Sequence, residues 1–172
     1  MDNKAFRFDL KSLDAAGTFA GMASVFGNLD LGNDVVDPGA FTRTLAHKNG
    51  EVPILFGHDQ HALPVGLGKL QETPQGLAIS GELALDTSRG QEVYSLMKRG
   101  ILKGLSIGYD TVKSVVQNGV RHLQELKLYE VSIVTFPMNE LATVSSVKAQ
   151  GDIERQIAVI QACTARIKSF QF

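Results

Sequence analysis

The sequence predicts a mainly β protein with helices, of the α+β class. About seven strands are expected to form a single closed or nearly closed antiparallel β-barrel surrounded by helices. Short apolar runs with strand spacing recur along the chain and are separated by turn residues. Glycine is frequent, with 17 residues, and tryptophan is absent, which is typical of a turn-rich β protein rather than a helical bundle. The length of 172 residues and a hydrophobic content of 44% fit one globular domain with a sizeable core.

The predicted strands follow from alternating or short continuous apolar patterns. In residues 6–10, apolar and charged side chains alternate, whereas residues 52–56 form a short apolar run that opens into a loop. Asn118-Gly119 is the strongest hairpin signal in the chain, so the segments on either side are expected to pair. The predicted strands are residues 6–10, 18–26, 35–36, 52–56, 65–71, 77–85, 103–116 and 120–134.

Two helices are predicted within this series of strands. Pro38 fits a first helical turn and Asp37 can cap it, so a helix is expected from residue 38 to about residue 49. A second helix is expected over residues 88–99, where apolar side chains recur at helical spacing, and it should stop at Gly100.

The C-terminal part of the sequence predicts a third helix over residues 152–170, with an apolar face. Residues 144–151 are polar and indicate a connector to it. We therefore expect a barrel domain at 1–147. The connector and helix at 148–172 are expected to pack on the barrel or extend from it.

Composition excludes several classes of function. Charge is nearly balanced, with 17 Lys and Arg against 18 Asp and Glu, so no basic excess indicates nucleic acid binding. No apolar run approaches the roughly 20 residues that span a bilayer, and the N-terminus lacks the apolar core of a signal peptide. The single cysteine, Cys163, excludes an internal disulfide and a cysteine-rich metal site. A soluble intracellular protein is the expectation.

The first candidate for chemistry is Ser106, in a predicted strand. Gly104 and Gly108 share its face of the strand, because side chains alternate along a strand. A serine between two glycines leaves room for a substrate, another backbone or an imidazole ring. Taken alone, the pattern more often marks a barrel corner or close packing of another element.

The second candidate is His58, which directly follows the short apolar strand. A neutral imidazole can accept a proton from a serine hydroxyl near neutral pH. A loop histidine that only bonds to backbone is the alternative. His58 and His61 could also ligate a metal, but no matching ligand motif is present, so no metal site is expected.

The third candidate is Glu130, which shares a strand face with Leu126, Leu128 and Val134. A carboxylate among apolar neighbours is costly unless it finds a partner. An imidazole N–H and a structural Lys or Arg are equally good partners on this evidence.

Five segments in this order resemble the prohead proteases of tailed phages. The resemblance covers roughly residues 6–147. The segments are Phe-Ala-Gly-Met-Ala-Ser-Val-Phe at 19–26, Asp-Val-Val-Asp-Pro-Gly-Ala-Phe at 34–41, Gly-His-Asp at 57–59, Gly-Leu-Ser-Ile-Gly-Tyr at 104–109 and Leu-Tyr-Glu-Val-Ser-Ile-Val-x-x-Pro at 128–137.

The resemblance implies a fold similar to the herpesvirus assemblins, a β-barrel ringed by helices. It implies a serine endopeptidase that acts inside the prohead in the bacterial host cytoplasm during capsid maturation. Its substrates would be scaffolding segments of the major capsid protein and its own chain; whether it forms homo-oligomers is left open. Carried over, Ser106 is the nucleophile, His58 the general base and Glu130 the third member, with no cofactor.

The regular pairing of the predicted hairpin argues against the role of Glu130. With a two-residue hairpin loop and no irregularity, Ser106 faces Val131 and Glu130 faces Ile107, so Glu130 lies on the opposite face from Ser106. A bulge in either strand would restore a common face.

Lesser candidates for the acid are Asp59 and Asp110. The herpesvirus enzymes use an arginine in their oxyanion hole shortly after the third member, but residues 137–140 here contain none. Backbone amides near Ser106 or within residues 99–103 are alternatives.

Two rival functions remain open. A non-catalytic procapsid scaffold or interaction component would keep the fold without cleaving anything. A hydrolase of small esters is less favoured, because the G-x-S-x-G elbow between strand and helix is absent.

Overall fold

The computed structural model describes residues 17–146. This part of the chain contains eight strands and two helices. They are β1 (Thr18–Val25), β2 (Asp34–Val36), α1 (Thr42–Lys48), β3 (Glu51–Phe56), β4 (Gly66–Thr73), β5 (Gly76–Leu83), α2 (Ser88–Lys98), β6 (Gly104–Gln117), β7 (Val120–Val134) and β8 (Val144–Ser146). The predicted strand at 6–10, the predicted helix at 152–170 and Cys163 lie outside the described residues, as does the predicted domain boundary after residue 147.

The mainly β class with few helices is confirmed. All eight strands belong to one sheet, in the order β2-β7-β3-β4-β5-β1-β8, with β6 paired along β7. The expectation of an entirely antiparallel sheet is wrong at β7, which pairs in parallel with β2 and with β3. These three strands are separated by long crossover segments of the chain, and such connections allow neighbours to run in the same direction.

The closed barrel is not confirmed, because the path of paired strands is open. Residues 142–144 nevertheless lie between β1 and the start of β6. The N–H of Leu105 donates to Ala142 O at 3.0 Å, and the N–H of Met22 donates to Thr143 O at 3.0 Å. On the β6 side these residues are held by isolated backbone bonds rather than by a regular strand ladder.

The predicted polar connector at 144–151 is wrong at its start. Residues Val144–Ser146 form β8, which pairs with β1. The side chain of Val144 packs against the hydrophobic core. Burial of this apolar side chain and the backbone pairing with β1 favour a strand over an exposed connector.

The helices correspond to the two predicted between strands, with one shifted start. α1 begins at Thr42 rather than at Pro38, because Gly39 has a φ of 92° and residues 37–42 form successive turns. The hydroxyl oxygen of Thr87 accepts a hydrogen bond from Gly90 N at 3.0 Å and caps α2. No helix among residues 17–146 is long and apolar enough to cross a membrane.

The core lies on the inner face of the sheet and under the helices. Each large apolar side chain there contributes about 1.5–3 kcal/mol through burial. The largest fully buried side chains include Phe19, Phe41, Ile54, Leu77, Leu105, Leu123, Leu126, Leu128 and Ile133. Strands β3, β6 and β7 supply several of them, so the segments that carry the candidate residues are fixed to the core.

Candidate active site

His58 is held at the end of β3 by an unusual turn. Gly57 and His58 both have left-handed backbone angles, with φ of 65° and 60°. The N–H of Gly57 donates to Ile133 O at 3.1 Å, and the N–H of His58 donates to the hydroxyl oxygen of Ser132 at 3.0 Å. Both bonds attach the turn to β7, because β3 pairs in parallel with that strand. The imidazole thereby reaches β6, the strand on the other side of β7.

Ser106 lies near the start of β6, directly opposite Ser132 of β7. Its side chain reaches the imidazole of His58, with 2.9 Å between Ser106 Oγ and His58 Nε2. Ser106 is only 8% exposed, whereas the His58 side chain is 40% exposed. Ser106 is therefore buried, whereas the imidazole that contacts its hydroxyl is partly open to solvent.

Glu130 reaches the same face as Ser106 through an irregularity of the hairpin. Near the turn, Gln117 pairs with Val120 as expected, but the pairing shifts between Gly108 and Tyr109. Two further irregularities nearer the turn cancel each other, so the net offset is one residue. Glu130 consequently lies opposite Gly108 rather than Ile107. The regular register is wrong, and the bulge that would restore a common face is present.

The carboxylate of Glu130 completes a hydrogen-bonded row with the other two side chains. Its Oε1 lies 2.7 Å from Nδ1 of His58. Glu130 is only 3% exposed, so this carboxylate has little water to bind. The structure thus brings together Ser106, His58 and Glu130, with the imidazole in the middle.

Ser132 joins the row and is a residue that the sequence reasoning missed. It is fully buried, and its hydroxyl donates to Oε2 of Glu130 at 2.8 Å. The available signal was the spacing, because residues 130 and 132 share a strand face and a buried hydroxyl needs a partner.

The two glycines that flank Ser106 serve different purposes. A Cβ on Gly108 would collide with Oε1 of Glu130 and lie 2.9 Å from its Cδ. A Cβ on Gly104 would instead lie 2.8 Å from Val134 O and 2.9 Å from the ring of Pro137. Gly108 makes room for the Glu130 carboxylate, rather than for the substrate, backbone or imidazole ring that was expected, and Gly104 permits close packing of another element.

A cavity of about 160 Å³ opens beside Ser106 and His58. It is larger than the ~30 Å³ share of one water molecule in the liquid. It is lined by Ala23, Ser24, Asp30, Gly32, Asp34, Val36, His58, Ser106, Ile107, Tyr109, Met138 and Asn139.

The cavity lining includes the polar residues Asp30, Asp34 and Tyr109. Arg121 forms two hydrogen bonds with the buried carboxylate of Asp34, at 2.7 and 2.5 Å. Burial raises the pKa of Tyr109 above its ordinary value of 10, and the charges of Asp34 and Asp30 raise it further against the opposing effect of Arg121. The lining therefore combines apolar side chains with carboxyl and phenol groups.

The lesser candidates bond elsewhere. Oδ1 of Asp59 accepts a hydrogen bond from the N–H of His61 at 3.0 Å. Oδ2 of Asp110 accepts one from the hydroxyl of Tyr129 at 2.6 Å. Nδ1 of His58 instead has Glu130 as its partner. Within residues 17–146, no three His, Cys, Asp or Glu side chains are grouped as metal ligands.

The suggested oxyanion donors at 99–103 are largely committed elsewhere. The N–H groups of residues 99–102 donate to carbonyls of the last turns of α2. In the arginine-free stretch 137–140, Asn139 Nδ2 lies 3.1 Å from both Val25 O and Asn28 Oδ1. Backbone amides close to Ser106 remain as the predicted donors.

The fold of this chain is similar to that of a solved viral protease. The structure is similar to the crystal structure of KSHV protease in complex with a hexapeptide phosphonate inhibitor, with a TM-score of 0.53. Sequence identity is 15%, and the match covers 74% of this chain and 63% of that one. The predicted herpesvirus-protease-like fold is thus confirmed.

Sequence comparison then identifies the family. A profile described as Caudovirus prohead serine protease matches residues 6–156, and the chain belongs to this family. It is 35% identical over 144 residues to the prohead protease of Enterobacteria phage HK97, covering 80% of this chain. It is 30% identical over 158 residues to the capsid polyprotein of Pseudomonas phage PAJU2, covering 86% of this chain and 23% of that protein. The chain spans 63% of the length of the HK97 protein.

Proposed function

We propose that the chain is a serine endopeptidase in which Ser106 is the nucleophile, His58 the general base and Glu130 the group that orients the base. The observation that carries this proposal is the unbroken row of hydrogen bonds, with 2.9 Å from Ser106 Oγ to Nε2 and 2.7 Å from Nδ1 to Glu130 Oε1. A nucleophile within reach of a base, itself held by a third group, is the recurrent arrangement for acyl transfer.

The proposed reaction proceeds in two halves. Nε2 of His58 takes the proton of Ser106 as Oγ attacks the carbonyl carbon of a peptide bond. The imidazolium is stabilised by the carboxylate of Glu130, then gives its proton to the leaving amine. Water, deprotonated by His58, next attacks the acyl ester; the bond to Oγ breaks, His58 returns the proton to Ser106, and the acid product leaves. The cavity beside Ser106 offers space for a side chain of the substrate.

The proposed substrates are scaffolding segments of the phage major capsid protein and flanking parts of this chain, cleaved inside the prohead in the host cytoplasm. Membership in a prohead protease family supports this, as does similarity to a capsid polyprotein. Cleavage of a scaffold inside a closed shell requires that the peptidase associate with the capsid protein before the shell closes.

Co-expression with the major capsid protein of the same phage tests the proposal. The wild-type chain should shorten the capsid protein to a discrete product, observed by gel electrophoresis and mass spectrometry. Ser106→Ala should abolish the product and leave the circular dichroism spectrum unchanged. The matched control is Ser80→Ala, at an exposed position on β5, which should process normally.

Processing by Ser106→Ala would overturn the assignment of the nucleophile. Absence of processing by a folded wild-type chain within assembled proheads would favour a non-catalytic scaffold component instead. Labelling of wild type, but not of Ser106→Ala, by a fluorophosphonate gives a second readout that does not require the capsid substrate.

A further inference from the structure

We propose that Ser132 is a positioning residue that sets the direction of the protons in the row Glu130–His58–Ser106. The inference rests on the proposed function for its catalytic consequence, but its structural part is testable without any cleavage. Ser132 contacts His58 through the backbone and Glu130 through the side chain, so it bridges two elements of the row.

The direction of donation along this row of hydrogen bonds is set first by the backbone N–H of His58. A backbone N–H can only donate, so the N–H of His58 obliges the hydroxyl oxygen of Ser132 to accept at 3.0 Å. A serine hydroxyl carries one proton. That proton is therefore left for the neighbouring acceptor, Oε2 of Glu130, at 2.8 Å.

The carboxylate transmits this direction to the imidazole. A carboxylate accepts hydrogen bonds at both oxygens, and such charge-assisted bonds are stronger than neutral ones. Because Ser132 donates to Oε2, Oε1 is the oxygen that faces the imidazole as an acceptor. Oε1 then accepts from the imidazole at 2.7 Å, which places the proton of neutral His58 on Nδ1. Nε2 is left with its lone pair facing Ser106, as a general base requires.

Ser132 also holds the backbone on which the imidazole is mounted. His58 adopts a left-handed conformation, with φ of 60°, which is unfavourable for a residue with a Cβ. Its N–H is bonded to a side chain that is fully buried on β7. Loss of the hydroxyl would therefore release both the turn of His58 and the second oxygen of Glu130.

The first test measures kinetics of Ser132→Ala on a fluorogenic peptide that spans a mapped cleavage site. We expect kcat to fall by about 10- to 100-fold, the effect of losing one hydrogen bond to a charged group, with little change in KM. Ser80→Ala is the matched control and should keep wild-type kinetics. A folded Ser132→Ala variant with kcat within threefold of wild type would overturn the proposal.

A second test compares two replacements of Ser132 that have the same bulk, so that steric effects are matched. Ser132→Thr and Ser132→Val have nearly the same shape and differ by a hydroxyl. The threonine variant should exceed the valine variant at least tenfold in kcat at similar thermal stability. Equal kcat values for the two would mean that the hydroxyl has no positioning role, even where the alanine variant fails to fold.

A third test separates this proposal from the proposed function. In a Ser106→Ala background, ¹⁵N NMR of labelled histidine should show neutral His58 protonated at Nδ1. Adding Ser132→Ala should mix the two tautomers. Retention of a single Nδ1-protonated form in the double variant would contradict the inference, whereas failure of the parent chain to cleave any peptide would affect only the protease assignment.

Discussion

The two halves of the β6–β7 hairpin differ in burial and in the kinds of residue that they carry. The inner half, residues 104–108 with 130–134, is mostly buried and holds Ser106, Glu130 and Ser132. In the outer half, residues 109–117 with 120–129, the β6 strand is exposed over its last eight positions. The outer half carries exposed valines at positions 112, 115 and 116. One hairpin thus combines a buried site with an outer half whose β6 strand is exposed, while Leu123, Leu126 and Leu128 of β7 still pack in the core.

The register shift at the junction of the two halves determines which face of the hairpin Glu130 occupies. Tyr129 has no partner on β6, because Leu128 pairs with Tyr109 and Glu130 pairs with Gly108. The outer half keeps the register set by the Asn118-Gly119 turn, and the inner half is offset by one residue. Since side chains alternate along a strand, an offset of one decides which face a residue occupies. An irregularity in the hairpin, rather than its regular pairing, therefore places the carboxylate of Glu130 beside the imidazole of His58.

The largest expected effect is that of Glu130→Gln in the inner half. The amide keeps the size of the side chain, but it cannot stabilise an imidazolium and can favour the wrong tautomer. By analogy with serine proteases in which the acid is replaced by its amide, kcat should fall about 10³- to 10⁴-fold. Single-turnover kinetics would measure this. A loss below tenfold would show that another group orients His58.

Gly108→Ala should give the next largest effect. The added methyl would overlap the Glu130 carboxylate, which lies at the end of a side chain and can move aside. Activity and stability should therefore both fall, by about 100-fold in kcat and by about 1–3 kcal/mol in the free energy of unfolding. Cleavage assays and urea titration, run on the same preparation, test this. A stability loss with unchanged kcat would contradict the space-making role of this glycine.

Gly119→Ala is the matched substitution in the outer half. Gly119 has a φ of 81°, and a Cβ there would meet no atom within 4 Å. The cost is purely conformational, about 1–2 kcal/mol in the free energy of unfolding. Activity of the folded protein should stay within twofold of wild type, as judged by kcat/KM. If activity falls as far as in Gly108→Ala, the two halves are coupled more strongly than the register indicates.

Asp110→Asn should have the smallest effect. Asp110 accepts a hydrogen bond from the hydroxyl of Tyr129, and both residues are exposed. An amide oxygen can still accept that bond, so we expect a change within ±0.5 kcal/mol in stability and unchanged kcat/KM. A large loss of activity would revive Asp110 as an acid of the site and weaken the role proposed for Glu130.

The sequence predicted the separate parts of the site better than their arrangement. His58 follows an apolar strand, and Ser106 lies within a strand between two glycines, both as the local pattern indicated. The hairpin turn was also predictable, because Asn118 and Gly119 both tolerate left-handed angles, with φ of 51° and 81°. Family membership followed from the order of five short segments, each of them weak alone.

What the sequence by itself determined were the properties set by neighbouring residues: most strand and turn positions, the two glycines on the face of Ser106 and the mainly β class. Only the tertiary structure decided the register shift at Tyr129, the face of Glu130, the buried bridge through Ser132 and the strand at Val144. Each of these depends on contacts between segments distant in the chain. Such contacts are selected by the packing of the whole core, and no local periodicity reports them.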